Sequence, residues 1–306
     1  MKPRSSESPA LSPQTVTFDV IMPAAMARRA EESGVKRAST SPLTLLVLSV
    51  LGGAFVSFGA IFATTVSAGS ISVSGAAGLA SATLPYGIVR LLSGTVFSVG
   101  LMLVIIGGAE LFTGNTIIIM AWASGKVPTR ALLLNWVMVF VGNVVGALAT
   151  AVLAFYSTQY TFGGGSVGLT ALNTAQAKAS LAFVPAFTLG IMCNALVCLA
   201  VWMCFSARTN IDRAVAAIPP IAAFAAAGFE HCIANAYFLP LGLFIKSGAP
   251  ESFWKTIGKT AADFPDLTWG NFLLGNLVPV TLGNMFGGSV MVALVYWFIY
   301  LRERSV

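Results

Sequence analysis

Charge is what this chain has least of. Only 9% of its 306 residues are Asp, Glu, Lys or Arg, against about 25% in an ordinary soluble domain. With 57% hydrophobic residues and a mean hydropathy of +0.84, it has too few charged groups to cover a globular surface facing water. Histidine occurs once, as His231, which excludes an HExxH metal site. The four cysteines, Cys193, Cys198, Cys204 and Cys232, form no CxxC pair and lie in apolar stretches. Neither a disulfide framework nor a zinc site is expected from them. A GxSxG elbow, a Walker loop and an NPA triplet are all missing. No metal, no cofactor and no enzymatic activity are therefore expected, and an intramembrane enzyme built on Glu230 and His231 lacks a nucleophile.

What is present is long apolar runs. The length suits about six membrane spans of some 20–25 residues with loops between. They are expected over Leu43–Val66, Ile88–Ala123, Ala131–Phe155, Leu181–Phe205, Ala217–Ile245 and Phe272–Tyr300. A small-residue stretch follows the first, and a polar loop with Gly163, Gly164 and Gly165 follows the third. Two runs are interrupted by polar sequence, GGAELFTGN in the second and GFEHCIAN in the fifth, and are read as broken helices. Residues 1–40 form a polar N-terminal arm holding Pro3, Pro9, Pro13 and Pro23, with no apolar core of leader length. The membrane domain is expected over residues 41–304, with its first span serving as the insertion signal.

The net charge of +6 is better explained by topology than by nucleic acid, because the basic residues do not cluster on one soluble face. With six spans, twelve Lys and Arg fall on the side of the termini and five on the other, Arg90, Lys178, Lys246, Lys255 and Lys259. The positive-inside rule then puts both termini in the cytoplasm.

The halves of the chain repeat each other. Glu110 precedes Asn115 by five positions and Glu230 precedes Asn235 by five. Asn135, Gly142, Asn143 and Gly146 share the spacing N-x6-G-N-x2-G with Asn276, Gly283, Asn284 and Gly287. Three spans per half is an odd number, so the halves must be inverted. The expected fold is an all-α membrane protein of six transmembrane helices, two inverted three-helix repeats with broken second and fifth helices. Inverted repeats with interrupted helices point to a solute site at the repeat interface near the midplane.

Several residues stand out there. Glu110 and Glu230 lie deep in apolar sequence, and ionisable groups within a membrane are functional candidates. Each has a structural alternative, holding the open backbone of its own break. His231 sits in the second break, and histidine as a residue type can carry or relay a proton near neutral pH. Thr113, in the first break, offers a hydroxyl to an anion. Of the buried asparagines, Asn194 and Asn284 are expected near the solute. Phe97 and Leu101, four apart, share a helical face, and Phe224 lies two turns before His231. They read as apolar constrictions or, equally, as ordinary packing.

The runs IIGGAELFTGN, GIMCNALVCLAVW, GFEHCIANAYFLPLG and NLVPVTLGNMFGG resemble the signatures of the formate/nitrite transporter family, over about Leu43 to Arg304. The segment around His231 and Pro240 looks most like the formate channels. The resemblance implies a homopentamer with one aquaporin-like pore per protomer in the bacterial inner (plasma) membrane. It also implies passage of formate or a similar small weak-acid anion, proton-linked or pH-dependent. It puts the central histidine on His231, the loop threonine on Thr113 and the supporting acids on Glu110 and Glu230. Pore asparagines fall on Asn194, Asn235 and Asn284, the vestibule lysine on Lys178, and constrictions on Phe97, Leu101, Leu111, Val197 and Phe224. The partners implied are the anion, membrane lipid and further copies of the chain. A nitrite- or hydrosulfide-preferring relative and a neutral-solute channel for water or ammonia are the alternatives.

Overall fold

The computed structural model describes residues 19–69, 71–75, 78–82 and 84–302. The first 18 residues of the arm and the last two of the expected membrane domain lie outside it. Helices α1 (Pro23–Ala38) and α2 (Pro42–Ser67) are followed by strands β1 (Ile71–Gly75) and β2 (Gly78–Ala82). Then come α3 (Tyr86–Gly107), α4 (Phe112–Ala123), α5 (Thr129–Tyr156) and α6 (Ser166–Ala179). The remainder is α7 (Phe183–Ser206), α8 (Asn210–Ala227), α9 (Cys232–Gly248), α10 (Glu251–Ile257) and α11 (Asn271–Tyr300). Apart from the short antiparallel pair, in which Ile71 faces Ala82, the described regular structure is helical.

Five helices, α2, α3, α5, α7 and α11, are long and apolar enough to cross a membrane; α8 and α9, bent by 49° at their junction, make a sixth candidate. The protein is thus a multi-pass membrane protein. The expected span limits agree with α2, α5, α7 and α11 to within two residues. The two interruptions fall over residues 108–111 and 228–231. Each opens on a glycine in the left-handed region, Gly108 at φ 78° and Gly228 at φ 80°, where a Cβ would be strained.

Lipid supplies no hydrophobic drive between helices, so close association depends on small residues that let backbones touch. The repeated glycines do this. A Cβ at Gly146 of α5 would lie 2.0 Å from the Val50 carbonyl of α2, and one at Gly287 of α11 would lie 2.2 Å from the Ile191 carbonyl of α7. Gly142 meets Ser49, and Gly283 meets the Phe187 carbonyl, in the same way. The N-x6-G-N-x2-G motif is therefore a packing seam that seats α5 on α2 and α11 on α7. In α11, Pro279 has no N–H to donate, and wider π-turns over Asn271–Leu277 precede it.

Two helices lie where the sequence reading expected an arm and a loop. α1 starts on Pro23, favoured in a first turn, and buries Met26, Ala27, Ala30, Glu31 and Gly34, a stripe of helical period. Its last turn carries Lys36 and Arg37, which suit the negative end of the helix dipole. α6 buries Val167, Gly168, Ala171, Leu172, Ala175 and Ala179. α1 is polar on average and α6 only modestly apolar, each burying one side, so neither stands out in a search for spans.

Gly146→Val should force α2 and α5 apart. The expected cost is about 1–3 kcal/mol or more for overpacking a seam of this kind, read as a lowered thermal midpoint of the detergent-purified protein. An unchanged midpoint would mean the seam tolerates separation.

Candidate functional site

An interrupted helix inside an apolar layer leaves backbone donors and acceptors that water cannot reach. Here side chains from neighbouring helices take them up. Asn143 of α5 receives the Phe112 N–H at 2.8 Å and donates to the Glu110 carbonyl at 2.9 Å and the Ser49 carbonyl at 2.6 Å. Asn284 of α11 receives the Cys232 N–H at 2.9 Å and donates to the Glu230 carbonyl at 2.9 Å and the Gly190 carbonyl at 2.8 Å. Glu110 N–H donates to Leu48 O at 3.1 Å, and Glu230 N–H to Leu189 O at 3.4 Å.

The acids complete each lock. Asn115 donates to Glu110 Oε2 at 2.7 Å and to Asn135 Oδ1 at 2.9 Å. Asn235 donates to Glu230 Oε2 at 2.6 Å and to Asn276 Oδ1 at 2.7 Å. Each acid also meets one base from an amphipathic helix. Lys178 Nζ of α6 is 2.7 Å from Glu230 Oε1, and Arg37 Nη1 of α1 is 3.6 Å from Glu110 Oε2 while donating to Asn115. Burying an unpaired ion costs several kcal/mol, and these partners offset it. Asn135 and Asn276 tie the helix ends back, donating to the Arg37 and Lys178 carbonyls at the same separation of 98 positions.

On this frame the two breaks carry different side chains toward each other. His231 Nε2 lies 3.0 Å from Thr113 Oγ1, across the two half-helices. His231 Nδ1 accepts the Ala234 N–H at 3.1 Å and caps α9. A nitrogen that accepts carries no proton, so in this arrangement the hydrogen sits on Nε2 and is donated to Thr113.

His231 faces a small cavity of about 10 Å³, walled by Phe97, Leu101, Leu111, Val197 and Phe224 together with Val56 and Ile221. Phe97 and Phe224 meet edge to face at 5.6 Å, and the Phe224 ring lies against His231 at 6.0 Å. On one side a cavity of about 100 Å³ shares Phe97, Phe224 and His231 and is lined by Arg90, Lys178, Thr174 and Asn235. On the other, a cavity of about 560 Å³ shares Leu101 and Leu111 and is lined by Lys36, Arg37, Glu110 and Arg213. The sequence is a basic-lined vestibule, an aromatic pair, a chamber, a leucine pair, and a second basic-lined vestibule.

The expected site residues thus divide. His231 and the five apolar residues come together at the chamber, Thr113 stands behind His231 at 3.0 Å without lining it, and Lys178 and Asn235 line a vestibule. Glu110 and Glu230 engage their own breaks. Asn284 spends its whole amide on backbone. Asn194 donates to Thr113 O at 3.2 Å and Asn284 O at 2.7 Å, with its Oδ1 unpartnered among the described residues. Sequence reasoning missed Arg37, which sits 98 positions before Asn135 just as Lys178 sits before Asn276. It also missed Arg90 as a site residue. This arginine caps the end of α8 by donating to the Ala225 and Ala226 carbonyls at 2.5 and 2.9 Å. Among the described residues no three His, Cys, Asp or Glu groups gather to hold a metal.

The formate/nitrite transporter family model matches residues 24–298. The chain belongs to the formate/nitrite transporter family. It is 42% identical over 288 residues to the formate channel FocA of Escherichia coli K12, covering 94% of this chain and 97% of that relative. The formate channel FocA of Haemophilus influenzae is 38% identical, over 86% of this chain and 89% of its own length. A solved structure described as a pentameric formate channel with formate bound superposes with a TM-score of 0.77 at 42% identity, covering 85% of this chain and 98% of that one. These transporter relatives are described as channels, not enzymes.

Asn284→Ala should leave the Cys232 N–H and the Glu230 carbonyl without their side-chain partner, at about 1–3 kcal/mol for each group that stays unpaired. The measurement is the thermal midpoint, with Asn143→Ala as the matched variant of the other break. Equal large losses are expected from both.

Proposed function

We propose that this chain conducts formate across the bacterial inner membrane through one pore per protomer, with His231 and Thr113 at its centre. The observation that carries this reading is the 3.0 Å Thr113–His231 contact beside an apolar chamber between two basic-lined vestibules. We assign residues 41–304 to the channel and 1–40 to an arm on the cytoplasmic side, whose helix α1 brings Arg37 to the nearer vestibule. The two sets of matched bonds support six spans in two inverted repeats. The excess of Lys and Arg on the side of the termini supports their cytoplasmic placement. The similar pentameric formate channel supports a homopentamer with formate as solute.

Stripping an ion the size of formate of its water has an idealised cost of order 20 kcal/mol, which the apolar chamber cannot meet for a bare anion. Lys178 and Arg37 draw the anion into the vestibules. At the centre, the Thr113 hydroxyl accepts from His231 Nε2 and is free to donate its own hydrogen to the carboxylate. In the proton-linked form of the reading, formate gains a proton through His231 and crosses as the neutral acid. For that, Nδ1 must release the Ala234 N–H and take up the second proton. The rival form is anion passage past a neutral histidine, which the existing Nδ1 bond favours.

Purified protein in proteoliposomes distinguishes them. Formate uptake is expected to exceed that of acetate and to rise with an inward proton gradient, nitrite and hydrosulfide being compared at the same two pH values. His231→Phe is expected to lose the pH dependence; formate transport with the dependence unchanged would remove the proton role. A preference for water or ammonia with no anion flux would sink the anion reading altogether.

A further inference from the structure

Behind Thr113 lies a buried polar corner that the permeation reading leaves unused. Thr116, one turn further along α4, donates its hydroxyl hydrogen to the Thr113 carbonyl at 2.7 Å. Asn194 of α7, whose two amide hydrogens are shared among Asn284 O, Thr116 Oγ1 and Thr113 O, lies 3.1 Å from Thr116 Oγ1. Cys198, one turn on from Asn194, has its sulfur 3.2 Å from Thr116 Oγ1 and 3.5 Å from the Thr113 carbonyl. Thr116 has a single hydrogen. With that hydrogen on the Thr113 carbonyl, the Cys198 thiol has its one hydrogen to give to Thr116 Oγ1 or to the Thr113 carbonyl. From α11, Gly288 leaves the space. A Cβ there would lie 2.2 Å from Thr116 Oγ1, 2.3 Å from Asn194 Nδ2 and 2.8 Å from Cys198 Sγ.

The other half-helix has no such corner. The acids and asparagines of the two breaks are 120 positions apart, and the motif asparagines of the flanking helices are 141 apart. These offsets put Ile233 at the place of Thr113, Ala236 at Thr116, Gly53 at Asn194, Ser57 at Cys198 and Ala147 at Gly288. Ser57 donates within its own helix, to Gly53 O at 2.8 Å. The acid–asparagine lock occurs behind both breaks, so it accounts for holding a gap open. The corner occurs only behind the break that carries a hydroxyl to His231.

We propose that Thr116 is a positioning residue for Thr113. It pins the first turn of α4 by its carbonyl, so that Thr113 Oγ1 stays in line with His231 Nε2 and with the permeating anion, and Cys198 and Gly288 give it its setting. The inference rests on the permeation reading.

The test is formate uptake by purified protein in proteoliposomes. Thr116→Val keeps the shape and removes the hydroxyl; it is expected to slow uptake about tenfold, the scale of one hydrogen bond. Thr116→Ser is expected to restore it. The double variant Thr113→Ala/Thr116→Val is expected to be no slower than Thr113→Ala, because the second change acts only through the first. Wild-type uptake by Thr116→Val, or losses that multiply in the double variant, would overturn the proposal. Should Thr116→Val not assemble, Cys198→Ala carries the test, with a smaller loss that again vanishes in the Thr113→Ala background. Absence of formate uptake by the unaltered protein is a separate result, which overturns the permeation reading and this inference with it.

Discussion

A gap in a membrane helix persists only if something other than water satisfies the backbone it exposes. In this protein one asparagine does so at each gap, Asn143 or Asn284, while the acid of the gap is held by a second asparagine and by a base from α1 or α6. Remove that set and residues 108–111 and 228–231 have no reason to remain open. The half-helices α4 and α9 would then have no reason to begin where they do. The chamber, the vestibules and the His231–Thr113 contact all depend on those two starting points.

The lock also explains why acids occur in sequence so poor in charge. Glu110 and Glu230 are both buried, at 8% and 4% exposure. Neither is isolated: an amide and a base stand within bonding or ion-pairing distance of each. The seam glycines have a related role. They let α5 and α11 come near enough for Asn143 and Asn284 to reach the opened backbone. Spacing in the motif is thus one device, a glycine seam with an asparagine beside it.

On this matched frame the chemistry is unmatched. Leu111 stands where the other break has His231, and Thr113 where it has Ile233. One break brings an imidazole, the other a hydroxyl, and they meet. The leucines close one end of the chamber and the phenylalanines the other.

Much of this could be read in advance. The long spans, the two interruptions and the asparagine–glycine seam are local patterns of hydropathy and spacing, and the structure has them where the residues indicate, except that α8 starts at Asn210, ahead of the expected Ala217. The chain by itself determined that apolar runs of this length must span, that polar GGAELFTGN and GFEHCIAN must break a helix, and that one histidine sits in one break. Helices α1 and α6 were not legible, because a one-sided helix of modest hydropathy looks like a polar loop until it has something to lie on. Nor was the pairing of Arg37 with Glu110, or of Thr116 with Cys198, since those partners are 73 and 82 positions apart and only packing brings them together. Which nitrogen of His231 faces Thr113, and that Asn284 turns to backbone, were likewise decided by tertiary structure. A hydrogen bond depends on distance and direction in space, and sequence spacing carries those only within one helix.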